Sequence, residues 1–335
     1  MPTPAAPSNS GLLVVGLNPA WQKTLFFDRL EIGEVNRATE VRTQASGKGI
    51  NCLQAAGSAG GRAQLLQVAG GATGGWVTAD LDRRSLHHVT VPIAGATRVC
   101  NTLLCRATGQ MTELIEPSAP LTAAEAAQLA EQLAVLIPAA VGLALCGTFP
   151  PGVPPQFYAT AAQLARARGI PVLLDGCHGV QPALETGIDL LKINTRELAA
   201  LAGLPPDRPD AAATALFERY PRLGRLAVTA GPQAALLFDR TGVRRFQLPA
   251  LDQVVNPIGA GDTVAGVLMT QVAARRHLFA DSASPCPAAG DLPLDWLAAA
   301  FRDALACASA SCLTAAPAAF DPAAARELAA AITLR

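Results

Sequence analysis

Residues 256–266 read NPIGAGDTVAG, a Gly-Ala-Gly corner followed at once by a carboxylate, Asp262, and then by an apolar run. Val264, Val267, Leu268 and Val272 recur at helical spacing, so Gly259 to Asp262 form the entry to a helix. The first turn of a helix leaves backbone N–H groups without partners and carries the positive end of the dipole, and glycines let the backbone close on a ligand without a Cβ in the way. An anion fits such a turn. Two readings of Asp262 follow. It is either an ordinary acidic residue favoured in a first turn, worth less than about 2 kcal/mol, or a general base. As a base it would take a proton from an attacking hydroxyl while the amides of Gly259, Ala260 and Gly261 stabilise charge on a transferring phosphoryl group.

Three further stretches carry polar groups at the ends of apolar runs. SGKGIN (46–51) is a second glycine-rich corner leading into a helix and offers Lys48 and Asn51 to a polar ligand, although such corners also occur for purely structural reasons. LKINTREL (191–198) ends a strand with Asn194 and Glu197 three apart, a spacing that suits either a water-coordinated Mg²⁺ or a helix capping box. VTAGPQ (228–233) places Thr229 and Gly231 at a strand end, where a nucleotide phosphate or an ordinary hairpin turn could sit.

The elements that must position these groups follow from periodicity. Short apolar runs at 12–17, 63–69, 141–147, 171–176, 190–194 and 225–231 read as buried strands. Ala/Leu-rich stretches at 49–60, 122–137, 155–169, 195–203, 210–220, 261–275, 294–313 and 322–332 read as helices. Their alternation predicts an α/β fold, a parallel sheet covered by helices. Two regions, 23–44 and 89–115, alternate polar and apolar residues as half-exposed antiparallel strands do, and are expected to form one small lid sheet. Residues 1–10 are expected to be a disordered tail, 11–335 a single domain, and 279–293 a surface loop.

Composition narrows the partners. The 335 residues carry 26 basic and 26 acidic side chains, so no global field favours nucleic acid or an anionic membrane. Eight cysteines lie scattered with no CxxC pair, which reads as free thiols in a reducing compartment. With no basic leader and no apolar stretch of about 18 residues, the expectation is a cytoplasmic protein. No GxGxxG follows the first strand, and no Walker A, HExxH or GxSxG motif occurs, so dinucleotide oxidoreductase, P-loop, zincin and hydrolase readings lose their footing. His87, His88, His178 and His277 lack metal-ligand spacing with the cysteines.

Taken in order, LNPA (17–20), SGKGIN, GGATG (70–74), GTFPPGV (147–153), LKINTREL, VTAGPQ and GAGDTVAG resemble the motif set of the ribokinase-like (PfkB-type) carbohydrate kinases, in their 1-phosphofructokinase and tagatose-6-phosphate kinase branch. The resemblance runs from about residue 12 to 313. It implies a ribokinase-like three-layer sandwich with a central, mainly parallel sheet and a small β lid, ATP and Mg²⁺ as cofactors, and a homodimer formed through the lid. By the same resemblance Asp262 is the catalytic base and Gly259, Ala260 and Gly261 the anion hole. Lys192, Asn194, Thr229, Gly231 and Gly261 would contact ATP, and Asn194 and Glu197 the metal, through water. Ser46, Gly47 and Asn51 would hold sugar hydroxyls, while Arg98 and Thr148, with Arg37 or Lys48, would grip the phosphate the substrate already carries.

The implied reaction is ATP-dependent phosphorylation of a hexose phosphate, fructose 1-phosphate to fructose 1,6-bisphosphate, with tagatose 6-phosphate or fructose 6-phosphate as alternative acceptors. A non-catalytic sensor of sugar phosphate or nucleotide is the alternative of another class. Two positions depart from the family pattern. Gln22 stands where relatives carry an aspartate that bonds sugar hydroxyls, and Ser46 where a glycine is usual. The amide keeps an acceptor and two donors but loses the charge.

Overall fold

The computed structural model describes residues 11–232, 234–276 and 294–334. Expectations for the first ten residues, for the 279–293 connection and for His277 lie outside the described residues. In chain order the strands are β1 (Gly11–Gly16), β2 (Ala20–Phe27), β3 (Glu40–Ser46), β4 (Ala63–Ala69), β5 (His88–Pro92), β6 (Val99–Cys105) and β7 (Met111–Ile115). They continue with β8 (Ala140–Cys146), β9 (Val172–Asp175), β10 (Leu190–Asn194), β11 (Arg225–Ala230), β12 (Ala234–Phe238), β13 (Val243–Gln247) and β14 (Thr333–Leu334).

Ten strands form one sheet in the order β14-β13-β12-β11-β10-β9-β8-β1-β4-β5. The seven from β11 to β5 run parallel, and β12, β13 and β14 add an antiparallel edge. The parallel strands read as near-continuous apolar runs because both of their faces are covered. On one face Leu66, Leu143 and Ile193 pack with Leu129, Tyr158, Leu198 and Leu216 from helices. On the other, Val14, Leu65 and Leu173 pack with Ile50, Leu81, Leu268 and Phe301. The result is three layers, and the seven described cysteines are all free thiols.

Chain order reverses beside β1, which has β4 on one side and β8 on the other. In a parallel sheet such a switch point opens a crevice beyond the carboxyl ends of the strands, because the connections there leave to opposite faces. The ends of β1 and β8, at Gly16 and Cys146, face that crevice, as do the ends of β9 and β10 at Asp175 and Asn194.

A second sheet of four strands, in the order β3-β2-β6-β7, forms the lid. Here the expectation needs correcting. Strand β5, inside the 89–115 region, pairs with β4 as the edge of the large sheet. Its alternation reports one exposed face, and an edge strand of either sheet has that. The lid is also mixed rather than antiparallel, since its central strands β2 and β6 run parallel. Two helices were not foreseen, Gly71–Arg83 and Gln181–Thr186. The first contains three glycines and two threonines, poor helix formers, and is held by the burial of Val77 and Leu81.

Candidate active site

The helix Ala260–Ala274 begins where the glycine corner predicts, with Gly259 as its N-cap at φ 80°. That left-handed conformation suits glycine, and a Cβ there would approach Asn51 Nδ2 and Ala318 N to 3.2 Å. Val264, Val267 and Leu268 anchor the helix in the core between the helices Lys48–Ser58 and Leu294–Ser311. Its first turn therefore opens on the crevice with little freedom. Asp262 lies in that turn, 9% exposed, and accepts a 2.7 Å hydrogen bond from Asn51 Nδ2. Burial, and secondarily the charge of Asp175, raise its pKa, while Lys48, Lys192 and the Asn51 bond oppose the shift. A carboxylate moved upward is a stronger base than an ordinary one.

Asp175 was not singled out in the sequence, yet it organises the cluster. It ends β9, fully buried, and accepts hydrogen bonds from Lys48 Nζ at 2.7 Å and Lys192 Nζ at 3.2 Å. Burial alone would raise its pKa, but the two ammonium groups hold it below the usual value. Lys48 reaches Glu197 as well, at 3.4 Å. Burial favours its neutral form, and the charges of Asp175, Asp262 and Glu197 outweigh that, so its pKa is raised. Lys192 in turn stands against the helix mouth, because a Cβ on Gly261 would lie 2.8 Å from its Nζ. The signal in the sequence was an acid at the carboxyl end of a buried strand, followed by glycine.

Asn194 and Glu197 form the capping box that their spacing allowed. Asn194 Oδ1 accepts from the Glu197 amide and Glu197 Oε2 from the Asn194 amide, both at 2.9 Å. Among the described residues no group of three His, Cys, Asp or Glu side chains gathers as a metal cage. Mg²⁺ does not require one, since it keeps several waters and takes one or two carboxylates together with substrate phosphates. The partly exposed Glu197 carboxylate at the crevice fits that mode of binding.

Two cavities reach this cluster, one at Gly261 and the other at Lys48. The larger, about 690 Å³, extends from the Thr229–Gly231 hairpin turn to Ala260, Gly261 and Val264, and is walled by apolar groups such as Leu251, Val254 and Leu305. The smaller, about 220 Å³, lies at the switch point between Asn18, Gly47, Lys48, Arg98 and Thr148, with Ile115 of the lid above. Arg98 Nη2 donates to the Asn18 carbonyl at 3.0 Å, and its Nε is sealed from solvent with no partner. Asn18 Nδ2 donates to Thr148 Oγ1 at 2.8 Å, so one residue ties the arginine to the threonine. Asn18 belonged to the quoted LNPA run but was not chosen as a site residue. Ser46 Oγ lies 3.5 Å from Asn51 Oδ1. Gln22 is buried on β2 and donates to Thr102 Oγ1 at 2.8 Å. Arg37 stands apart: it is exposed in the connection between β2 and β3, and none of the bonds linking the cluster reaches it.

A helix mouth with a buried carboxylate and two lysines, flanked by an apolar and a cationic cavity, is an arrangement suited to transferring a phosphoryl group to an alcohol. The model of the pfkB family of carbohydrate kinases matches residues 14–324, and the chain belongs to that family. Among solved structures it is similar to phosphofructokinase-2 from Escherichia coli in complex with substrates and products, at 25% identity over 96% of this chain and 99% of that one, with a TM-score of 0.80. The tetrameric inhibited form of the same enzyme matches at 25% identity, 96% and 99% coverage and a TM-score of 0.78. A Thermotoga maritima structure described as "Possible 1-phosphofructokinase" shares the fold at 18% identity, 97% and 98% coverage and a TM-score of 0.77.

Proposed function

We propose that this carbohydrate kinase transfers the γ-phosphoryl group of ATP to a primary hydroxyl of a ketohexose phosphate, converting fructose 1-phosphate to fructose 1,6-bisphosphate. The observation that carries the reading is the buried carboxylate of Asp262 in a helix's first turn, next in the chain to Gly261 of a cavity sized for a nucleoside and within the field of Lys48, which lines a second cavity with Arg98. The apolar cavity takes the base and ribose, with the triphosphate directed past Gly261 toward Lys192. Arg98 and Lys48 hold the phosphate already on the sugar, and the fork of Arg98 suits its oxygens.

Asp262 takes the proton as the acceptor oxygen bonds to phosphorus and the bridging P–O bond to ADP breaks. The amides of Ala260 and Gly261, with Lys192, stabilise the charge on the transferring group. Mg²⁺ bound near Glu197 and Asn194 would neutralise part of the triphosphate charge. The lid, whose Ile115 lines the smaller cavity, keeps water from competing for the phosphoryl group. It exposes Val41, Met111 and Leu114, which supports a homodimer formed lid to lid.

The test is ADP release with ATP and Mg²⁺ against fructose 1-phosphate, fructose 6-phosphate, tagatose 6-phosphate and the unphosphorylated sugars. Turnover fastest on fructose 1-phosphate is the expected result. Turnover confined to unphosphorylated sugars overturns the substrate class, and none on any acceptor overturns the kinase reading.

A further inference from the structure

One row of side chains on the helix Gly71–Arg83 grips the root of the lid. Trp76, Asp80 and Arg84, the last at the C-cap, recur every four residues and so stand on one face of the helix. Trp76 packs on Trp21 of β2 with ring centroids 5.8 Å apart. Asp80 Oδ2 accepts from the Ala45 amide of β3 at 3.0 Å, and Arg84 Nη1 donates to the Ala45 carbonyl at 3.2 Å. Trp21 and Ala45 are paired across the two strands, so one cross-strand pair roots the lid on this helix. As an outer strand, β3 turns the N–H and C=O of every second residue away from its neighbour, where they need other partners. At Ala45 both find them.

Arg84 also reaches past the strand. Its Nη2 donates to Gln54 Oε1 at 2.8 Å, on the helix Lys48–Ser58. Between Ala45 and Gln54 lies the corner 46–51, where Gly47 turns at φ 126°, a conformation L side chains rarely adopt. One guanidinium thus brackets the strand that enters the corner and the helix that leaves it. The corner brings Lys48 Nζ to Asp175 Oδ1 and Asn51 Nδ2 to Asp262 Oδ2, each at 2.7 Å. Asp80 accepts from Arg84 Nη1 at 3.1 Å and from Arg83 as well. Burial alone would raise its pKa, but those arginines and the Ala45 amide hold it below the usual value. Neither Asp80 nor Arg84 lines either of the two cavities.

We infer that Asp80 and Arg84 are positioning residues for phosphoryl transfer: by bracketing the corner 46–51 they hold Lys48 and Asn51 against the carboxylates of Asp175 and Asp262, and they touch neither substrate. The inference rests on the reading of the chain as a phosphosugar kinase. Lys48 and Asn51 stand in a first turn that includes Gly47 and Gly49, so the local backbone supplies little stiffness of its own. The stiffness comes from the neighbouring helix. The planar fork of arginine can serve both arms of the corner at once, and the single ammonium of a lysine cannot.

The experiment compares the wild-type protein with Arg84→Met, Arg84→Lys, Asp80→Asn, Gln54→Met and the double variant Gln54→Met/Arg84→Met. It measures kcat, KM for ATP and KM for the fastest sugar phosphate of the panel above, with the folded fraction followed by thermal unfolding. Arg84→Met keeps the aliphatic stem and removes the fork. It is expected to lower kcat about 10- to 100-fold, the cost of a small misplacement at the reacting centre. The sugar KM should rise about 3- to 10-fold, because Lys48 lines the smaller cavity, with the ATP KM unmoved. Arg84→Lys remains impaired, and Asp80→Asn and Gln54→Met show the same split at smaller size. The double variant is no worse than Arg84→Met alone, because Gln54 acts through the guanidinium. Additive effects, equal shifts in both KM values, full activity of Arg84→Lys, or a loss of kcat that only follows the folded fraction with both KM values unmoved each overturn the inference. Should Arg84→Met fail to fold, Gln54→Met decides: a selective rise in sugar KM supports the assignment, and no change removes it. A wild-type chain that phosphorylates no sugar sinks the kinase reading as well, whereas an active wild type with the Arg84 and Asp80 variants unaltered sinks this inference alone.

Discussion

The two cavities that flank the charged cluster, one reaching it at Gly261 and the other at Lys48, are built on opposite principles. The larger is walled mainly by aliphatic side chains, with Thr229, Gln247 and Ser309 among its few polar ones, and would hold its occupant by shape and dispersion. The smaller has a guanidinium, an ammonium, a hydroxyl and a carboxamide in a third of the volume, and would hold its occupant by charge. For the two phosphate-bearing substrates proposed above, this asymmetry limits the repulsion that two strongly cationic pockets side by side would suffer when empty. Asp175 limits that repulsion at the boundary by taking hydrogen bonds from both lysines.

The sharpest test of this contrast is the buried carboxylate of that cluster. Asp262→Asn should lower kcat by about 10² to 10⁴ while leaving binding of both substrates nearly unchanged, because it removes only the base. Steady-state kinetics together with calorimetric affinities separate the two. Next, Arg98→Ala should raise KM for the sugar phosphate by about 10- to 100-fold, the range for a charge-assisted bond to phosphate, with KM for ATP unmoved. A parallel rise for ATP would erase the division of labour. Gly261→Ala places a methyl group 2.8 Å from Lys192 Nζ, so the ammonium must move away from the transferring group. A loss of about tenfold in kcat is expected, read in single-turnover experiments.

The pH profile sharpens the boundary itself. Asp262 must be ionised to accept a proton, so activity falls as pH drops through its pKa, which burial and Asp175 have raised. The acid limb should therefore lie above the ordinary carboxylate range, and Asp175→Asn should move it to lower pH by removing one of the raising charges. The smallest effect belongs to the apolar wall. Leu251→Ala should raise KM for ATP by about 2- to 5-fold and leave the sugar KM alone.

Much of this site was legible because its signals are local. The mouth of the helix at Asp262 is announced by glycines before it and helical spacing after it, and the capping box at Asn194 and Glu197 by a three-residue interval. The large parallel sheet was legible because strands covered on both faces become apolar runs. Asp175 was missed because its meaning lies in Lys48, far away in the chain, and in Lys192 on the next strand. Strand β5 was assigned to the lid because alternation reports exposure and not partnership. The antiparallel hairpin β12–β13 escaped because AALLF and VRRFQ are short, and only their pairing beside β11 completes the sheet edge.

The lid joins its two central strands in parallel, Trp21 opposite Val99, with β3, β4 and β5 threaded between them in the chain. Two parallel neighbours cannot be linked by a tight turn, and here the crossover is a whole flank of the large sheet. The cover over the sugar is thus no detachable insertion. Its β2–β6 pairing closes a long loop that contains that flank, so a destabilising change at β4 or β5 is expected to loosen it from a distance. Grafting this lid onto another enzyme as one continuous segment would carry the flank along with it.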